Sequence, residues 1–401
     1  MSPTLPVQSK QVLGAVSPIM AAVFLSFLVI GLALPVLPLH VHDDLGLGTF
    51  IVGLVTGTQF AASLVSRLWA GPLADKHGGK TTMVWGLATA SVAGLLYLLS
   101  LTFLSAPWLS ASVLLLGRGV LGCAESFIIT GALAWGLALV DGSAAGRVIS
   151  WVGTAMYGAF ALGAPIGSLL YSRMGFSSIA WTTVGLPVVA AALVFKVRGA
   201  SSTHKGEKTS MLRVAKSVLT PGIALALSSI GFGAMTAFVT LLFSQKGWAP
   251  AWMAFSAFAL SFIVARSILG HLPDRMGGAK IALVFVLIEA IGQACIWLAP
   301  NASIALVGAV LSGLGYSLVY PGLGVVAVRR VQAHVRGSAM GAYTAFLDLA
   351  LGIATPLLGL IAGWSNLSAV FLISAIFAVL SAAVCAALAL SERNRIDQQE
   401  V

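Results

Sequence analysis

Apolar residues fall in twelve long stretches along this chain, parted by short polar segments. They cover roughly 16–38, 49–70, 81–103, 108–139, 147–171, 176–195, 218–243, 252–272, 280–299, 302–327, 337–362 and 367–390. A helix needs about 20 mostly apolar residues to cross the hydrocarbon core of a bilayer, whereas a barrel strand needs about 10. Inside lipid every backbone N–H and C=O must be bonded within the segment or its closed barrel, and runs this long satisfy that only as helices. The pattern predicts an all-α membrane protein with twelve transmembrane helices.

Composition agrees. Of 401 residues, 59% are hydrophobic and only 8% charged, against about 25% charged in soluble domains. The 44 glycines suit membrane helix interfaces, where small residues let backbones approach. Net charge is +10, and its placement explains it. Among the 22 Lys and Arg residues, only Arg173 and Lys246 fall in outer segments, and Arg67, Arg118 and Arg266 lie within spans. The remainder occupy inner segments, which puts both termini in the cytoplasm by the positive-inside rule and makes nucleic acid an unneeded explanation. The first apolar run follows Lys10 and continues through Pro35 and Pro38, longer than a signal-peptide core, so it is read as a retained span. Cys123, Cys295 and Cys385 sit in apolar stretches without CxxC spacing and are read as packing residues.

A basic, Ser- and Gly-containing segment at 197–217 (VRGASSTHKGEKTSMLRVAKS) divides the chain at its midpoint. The expected domains are therefore a six-helix bundle over 1–196, a cytoplasmic linker, and a second six-helix bundle over 218–401. A repeat supports the division. Arg67, Gly71, Leu73, Asp75, Lys76, Gly78 and Gly79 recur 199 residues later as Arg266, Gly270, Leu272, Asp274, Arg275, Gly277 and Gly278. Parallel copies imply two halves related by an axis along the membrane normal. At such a corner Gly71 and Gly270 are expected to allow close helix approach, and the paired glycines to supply tight turns. Asp75 and Asp274 can accept bonds from helix N-termini or pair with Lys76 and Arg275, either as a plain turn or as a conformational switch.

The stretch from Gly71 to Lys80, with its copy ending at Lys280, resembles the loop motif of the major facilitator superfamily, with a single Lys80 where two basic residues are common. Val41–Gly46 together with Ser66-Arg67 is similar to a group of bacterial inner-membrane carriers labelled arabinose-efflux-like. Arg118-Gly119-Val120-Leu121-Gly122 resembles the R-x-x-Q-G motif of drug/proton antiporters, with Leu121 in place of Gln. The segment around Gly163-Ala164-Pro165-Ile166-Gly167-Ser168 is similar to their G-P-x-x-G-G motif. The resemblance implies a proton-coupled carrier of the bacterial inner membrane, working as a monomer, that exports a small solute. Independently, Ala159, Gly163 and Gly167 at i, i+4 and i+8 form a face on which another helix can pack, with Pro165 between them.

A charge in mid-span costs about 2.5–3.5 kcal/mol even on lenient scales and normally faces a cavity or a partner. Arg118 and Glu125, seven residues apart, share a face of span four. They either pair, or Glu125 takes and releases a proton that Arg118 tunes. Asp348 in span eleven and Glu289 in span nine are further candidates for proton or substrate coupling. Gln59, Ser63 and Ser66 stripe span two, and Ser312, Tyr316 and Tyr320 one face of span ten. Either set could line a solute cavity or bond between helices. Pro35, Pro38, Pro165, Pro321 and Pro356 are expected to bend their helices. All six histidines fall in loops or at span ends; His40-Val41-His42-Asp43-Asp44 has metal-ligand residue types, but on an exposed loop no metal is assigned. No G-x-x-x-x-G-K-[ST] loop and no H-E-x-x-H occurs, so the sequence implies no ATP, no cofactor and no intramembrane enzyme. The expected activity is proton-coupled efflux of a small organic solute by alternating access, with a sugar or metabolite facilitator as the alternative and a membrane receptor as the rival from another class.

Overall fold

A computed structural model describes residues 5–140, 145–199, 216–331 and 336–397. Residues 200–215 of the linker segment lie outside this set. The described chain is helical. We number the helices α1 Leu5–Ala33, α2 Thr49–His77, α3 Gly79–Leu101, α4 Pro107–Ala138, α5 Ala145–Met174, α6 Phe176–Phe195, α7 Leu219–Gln245, α8 Met253–Leu269, α9 Gly278–Leu298, α10 Ala302–Ser317, α11 Arg336–Trp364 and α12 Leu367–Asp397.

Eleven segments are long and apolar enough to cross a membrane. The exception is α8, with 17 residues, or about 25 Å at 1.5 Å per residue. It stops at Leu269 and a one-turn helix, Leu272–Met276, restarts with Pro273 in its first turn, where a missing N–H costs nothing. The expected span 252–272 is shortened for that reason. In the matching corner α2 runs on through Pro72 to His77. Span ten is also broken. α10 ends at Ser317 and a separate helix, Val319–Arg329, follows. Pro321 has no N–H for the carbonyl of Ser317, and its ring would crowd that carbonyl. Tyr320 therefore does not continue the face that carries Ser312 and Tyr316. Pro165 and Pro356 stay inside α5 and α11.

The chain forms two compact units, Met1–Gly46 with Thr58–Lys205, and Leu47–Gly57 with Gly206–Val401. In the first, α3 packs on α4 and α6, and α1 on α5 and α6; in the second, α9 packs on α10 and α12, and α7 on α11 and α12. Each of these four pairings recurs after a shift of six helices, so the sequence repeat is also a packing repeat.

Glycine explains how the pairings close. Gly78 and Gly277 precede α3 and α9 at φ 84° and 94°, a region that side chains other than glycine rarely enter. The next glycines make the close contacts. Gly79 and Gly131 face each other between α3 and α4, and a Cβ on either would meet the other's carbonyl oxygen at 2.6–2.7 Å. Gly278 and Gly322 form the counterpart in the second unit, and Gly292 and Gly308 a further one between α9 and α10. Gly31 of α1 lies on Ala159 and Gly163 of α5, and Gly167 on Leu32. Gly71 and Gly270 do not perform the close approach expected of them. A Cβ at Gly71 meets nothing within 4 Å, and one at Gly270 meets only backbone of its own helix, at Arg266.

The outward faces are apolar, with Leu68, Leu116, Trp85, Trp108 and Trp181 all about 60% exposed or more. Water would penalise such a surface and lipid accepts it, while Trp favours the headgroup boundary. Lys80 ties the start of α3 to the C-terminal end of α6. Its Nζ donates to the carbonyls of Phe195 (2.8 Å) and Val197 (2.7 Å), a cation at the C-terminal, negative end of α6.

Gly79→Val and Gly278→Val are each expected to destabilise the folded protein by about 1–3 kcal/mol through overpacking against backbone. Thermal denaturation in detergent checks this, with Gly185→Val as the matched control, since no atom lies within 4 Å of a Cβ there.

Candidate functional site

In the first unit, Arg118 is fully buried on α4. Gly117 lets the ring of Tyr97 lie directly against that helix, and Arg118 Nη1 donates to the Tyr97 hydroxyl at 3.4 Å. Two turns further along, Glu125 has a different partner. Gln59 Nε2 of α2 donates to Glu125 Oε2 at 2.7 Å. Gly122, one turn before Glu125, packs against the backbone carbonyl of Gln59, and this approach brings the two side chains within reach. Gln59 and Ser63 are 0% exposed, and Gln59 Oε1 and Ser63 Oγ have no hydrogen-bond partner. The result is a half-buried carboxyl flanked by unused polar atoms that a solute could engage.

In the second unit, Glu289 of α9 is 1% exposed. Ser228 Oγ of α7 donates to its Oε2 at 2.5 Å, while Oε1 has no partner and rests against Gly231. No cation stands within ion-pair distance of Glu289 among the described residues. Gln293, one turn later, donates weakly to the Gly231 carbonyl (3.4 Å) and to Ser312 Oγ (3.3 Å). Tyr316 is 4% exposed, shares a hydrogen bond with Ser229 at 3.0 Å and stacks on Phe232 at 5.2 Å, so it packs inside the unit. Tyr320 is only half-buried. Its hydroxyl meets Thr344 Oγ1 at 2.7 Å, one turn before Asp348, which is 2% exposed.

The structure thus joins Gln59 to Glu125, and Tyr320 to the turn before Asp348, while Arg118 and Glu125 each engage another residue. Arg67 and Arg266 are half-buried in the C-terminal parts of α2 and α8. Asp75, Lys76, Asp274 and Arg275 are exposed, and among the described residues neither aspartate accepts a hydrogen bond or forms an ion pair. Tyr97, Ser228 and Ser229 escaped the sequence analysis. Tyr97 and the adjacent serine pair are polar residues in otherwise apolar spans, which is the signal that marks them.

One expectation needs correction. His40 is not on an exposed loop but 1% exposed, in a π-helical turn His40–Asp44 that follows the C-terminal end of α1. Its Nδ1 lies 2.8 Å from Asp44 Oδ2. A π turn is not legible in residue order, because it depends on how neighbouring helices hold the backbone.

Comparison with known proteins agrees with this architecture. A profile described as the Major Facilitator Superfamily matches residues 19–347 and 243–400. An uncharacterized MFS-type transporter of Salmonella typhimurium is 42% identical over 366 residues, covering 91% of this chain and 94% of that protein. The uncharacterized MFS-type transporter YhhS of Escherichia coli is 40% identical over 352 residues, 88% of this chain and 87% of its own length. Among solved structures, a D-xylose-proton symporter superposes with a TM-score of 0.76 at 12% identity, covering 92% of this chain and 97% of that one. The nucleoside transporter NupG does so with 0.73 at 13%, covering 93% and 98%. The structural likenesses establish the fold alone, while the profile and the relatives near 40% identity establish the lineage: the chain belongs to the Major Facilitator Superfamily.

Proposed function

We propose that this protein is a proton-coupled secondary transporter that exports a small organic solute across the bacterial inner membrane by alternating access. The observation that carries the proposal is the set of carboxyl groups inside membrane helices: Glu125 half-buried on Gln59, Glu289 at 1% and Asp348 at 2% exposure. Charge at such depth is costly, so acids there suit a cycle in which a proton is taken up on one side and released on the other. Relatives with transporter names, and a fold shared with a D-xylose-proton symporter, support the same class of activity. The outward direction rests on the antiporter-like segments around Arg118 and around Gly163–Gly167.

Within this proposal Glu125 and Asp348 carry the coupling proton, and Arg118 tunes the first of them or holds an anionic group. Glu289 has a local hydroxyl partner and serves as a second, more deeply set coupling acid. Gln59, Ser63 and Tyr320 face the solute. The halves over 1–196 and 218–401 move about the loops carrying Gly71, Asp75, Lys76 and Gly78, with Arg67, and Gly270, Asp274 and Arg275, with Arg266. The two aspartates make and release bonds as the conformation changes. The chain acts as a monomer with both termini in the cytoplasm.

Purified protein in liposomes with a trapped pH dye, offered pooled sugars, organic cations and amphipathic drugs, is expected to move protons when a solute is added. Glu125→Gln or Asp348→Asn is expected to lower that signal by about a hundredfold or more, the scale of one lost proton-transfer group. Solute flux with no proton signal in the wild type would instead mark a facilitator. Gly78→Ala forces a side chain into an extended, positive-φ conformation at a cost of about 1–3 kcal/mol, and is expected to slow transport several-fold while the protein still assembles. A fluorescent reporter fused after Val401 is expected to fold in the cytoplasm, and an alkaline phosphatase fusion there to stay inactive.

A further inference from the structure

The outer end of α1 holds a polar cluster that the coupling scheme does not use. The helix ends at Ala33, turns fill 34–36 around Pro35, a single helical turn Leu37–Leu39 follows, and the π turn His40–Asp44 closes with Leu45 N donating to His40 O at 3.0 Å. π turns are rare and concentrate at functional sites. The wide turn superimposes residues four apart, so His40 Nδ1 meets Asp44 Oδ2 at 2.8 Å. The same oxygen accepts the hydroxyl of Tyr171 from α5, also at 2.8 Å. The imidazole lies flat on Phe176, the first residue of α6, with ring centroids 4.0 Å apart and planes within 1°. His40 is 1% exposed while the Asp44 side chain is 45% exposed, and His40 Nε2 has no hydrogen-bond partner.

Asp44 can only accept from the ring, which places the hydrogen on Nδ1 and leaves a lone pair on Nε2. A carboxylate orienting an imidazole through Nδ1 is the arrangement that prepares the other nitrogen to take a proton. We propose that His40 is a proton-binding site served from the outer face, with Asp44 and Tyr171 as its positioning residues. A hydronium ion gives its proton to Nε2: the N–H bond forms as an O–H bond of hydronium breaks, and water leaves. The new charge is balanced by the Asp44 carboxylate and lies over the face of Phe176. The other ionisable groups nearby are Asp43 and His42 on the same turn, Arg173 beyond Tyr171 on α5, and Tyr97 of α3, 5.9 Å from Phe176, which in turn holds Arg118 of α4. The described residues of α6 carry no ionisable side chain.

Occupancy has a structural consequence. The neutral ring leaves only an acceptor unused, whereas the imidazolium has an Nε2–H that needs a partner, and a buried unsatisfied donor beside a charge is costly. The protonated form therefore favours a state in which Nε2 meets water and segment 37–44 lifts from Phe176. The break at 34–36 lets this segment move while the body of α1 stays seated through Gly31 on Gly163. The site is independent of the coupling proposal, because its test reads protonation and local opening without transport.

The experiment uses the full chain in nanodiscs with 15N-labelled histidine, the His40→Gln variant assigning one of the six histidine signals. The His40 signal is expected to be the Nδ1–H neutral form at pH 8 and imidazolium at pH 5. Asp44→Asn is expected to need about tenfold more acid for the same occupancy, the usual effect of removing an adjacent anion. Hydrogen exchange over 34–48, corrected for intrinsic rates, is expected to quicken several-fold at pH 5.5 relative to 7.5 in the wild type and in Arg173→Gln, and not in His40→Gln. A His40 ring that remains neutral at pH 5, that carries its hydrogen on Nε2 at pH 8, or whose titration ignores Asp44→Asn would overturn the assignment. Acid-quickened exchange that persists in His40→Gln would overturn the opening.

Discussion

Helices in lipid gain little from hiding apolar side chains, because the solvent they leave is as apolar as the interface they form. Their association depends on how closely the backbones approach, and in this protein glycine sets that distance. Gly79 with Gly131, Gly278 with Gly322, Gly292 with Gly308, and Gly31 with Gly163 bring main chain onto main chain. These contacts fix which helices are neighbours, and four of the pairings in the first unit recur in the second.

The polar chemistry inherits its geometry from this packing. Glu125 reaches Gln59 because Gly122 seats α4 on the backbone of α2, and Tyr97 reaches Arg118 because Gly117 leaves room for its ring. Glu289 sits against two glycines, Gly231 from α7 at its carboxyl and Gly315 from α10 at its backbone. A larger residue at any of these points would move the polar group as well as the helix. In a medium without water that displacement would strand a donor or acceptor, so packing and polar satisfaction are a single constraint here.

The two units meet that constraint differently. The first buries a guanidinium and offers it a tyrosine hydroxyl, and sets a half-buried carboxyl on an amide. The second satisfies its deepest acid with a serine hydroxyl alone. Beyond the C-terminal end of α1 an exposed carboxylate bonds a buried imidazole, a third kind of ionisable group.

The order of residues determined the twelve helices, because lipid requires continuous apolar runs with internally bonded backbone, and that demand is local. The repeat from Arg67 to Gly79 is likewise written in residue identity, and glycine alone suits the positive φ at Gly78 and Gly277. It did not determine which member of each glycine pair makes the close contact; the structure gives that task to Gly79 and Gly278 and leaves Gly71 and Gly270 without it. Nor could helix periodicity choose a partner for a buried charge. Arg118 and Glu125 share a face of α4, yet Arg118 turns to Tyr97 of the preceding helix and Glu125 to Gln59 of α2. The break of span ten at Leu318 and the π turn that buries His40 belong to the same class. Proline marked both regions, but where the chain restarts and which side chains the turn superimposes were decided by the helices packed around them.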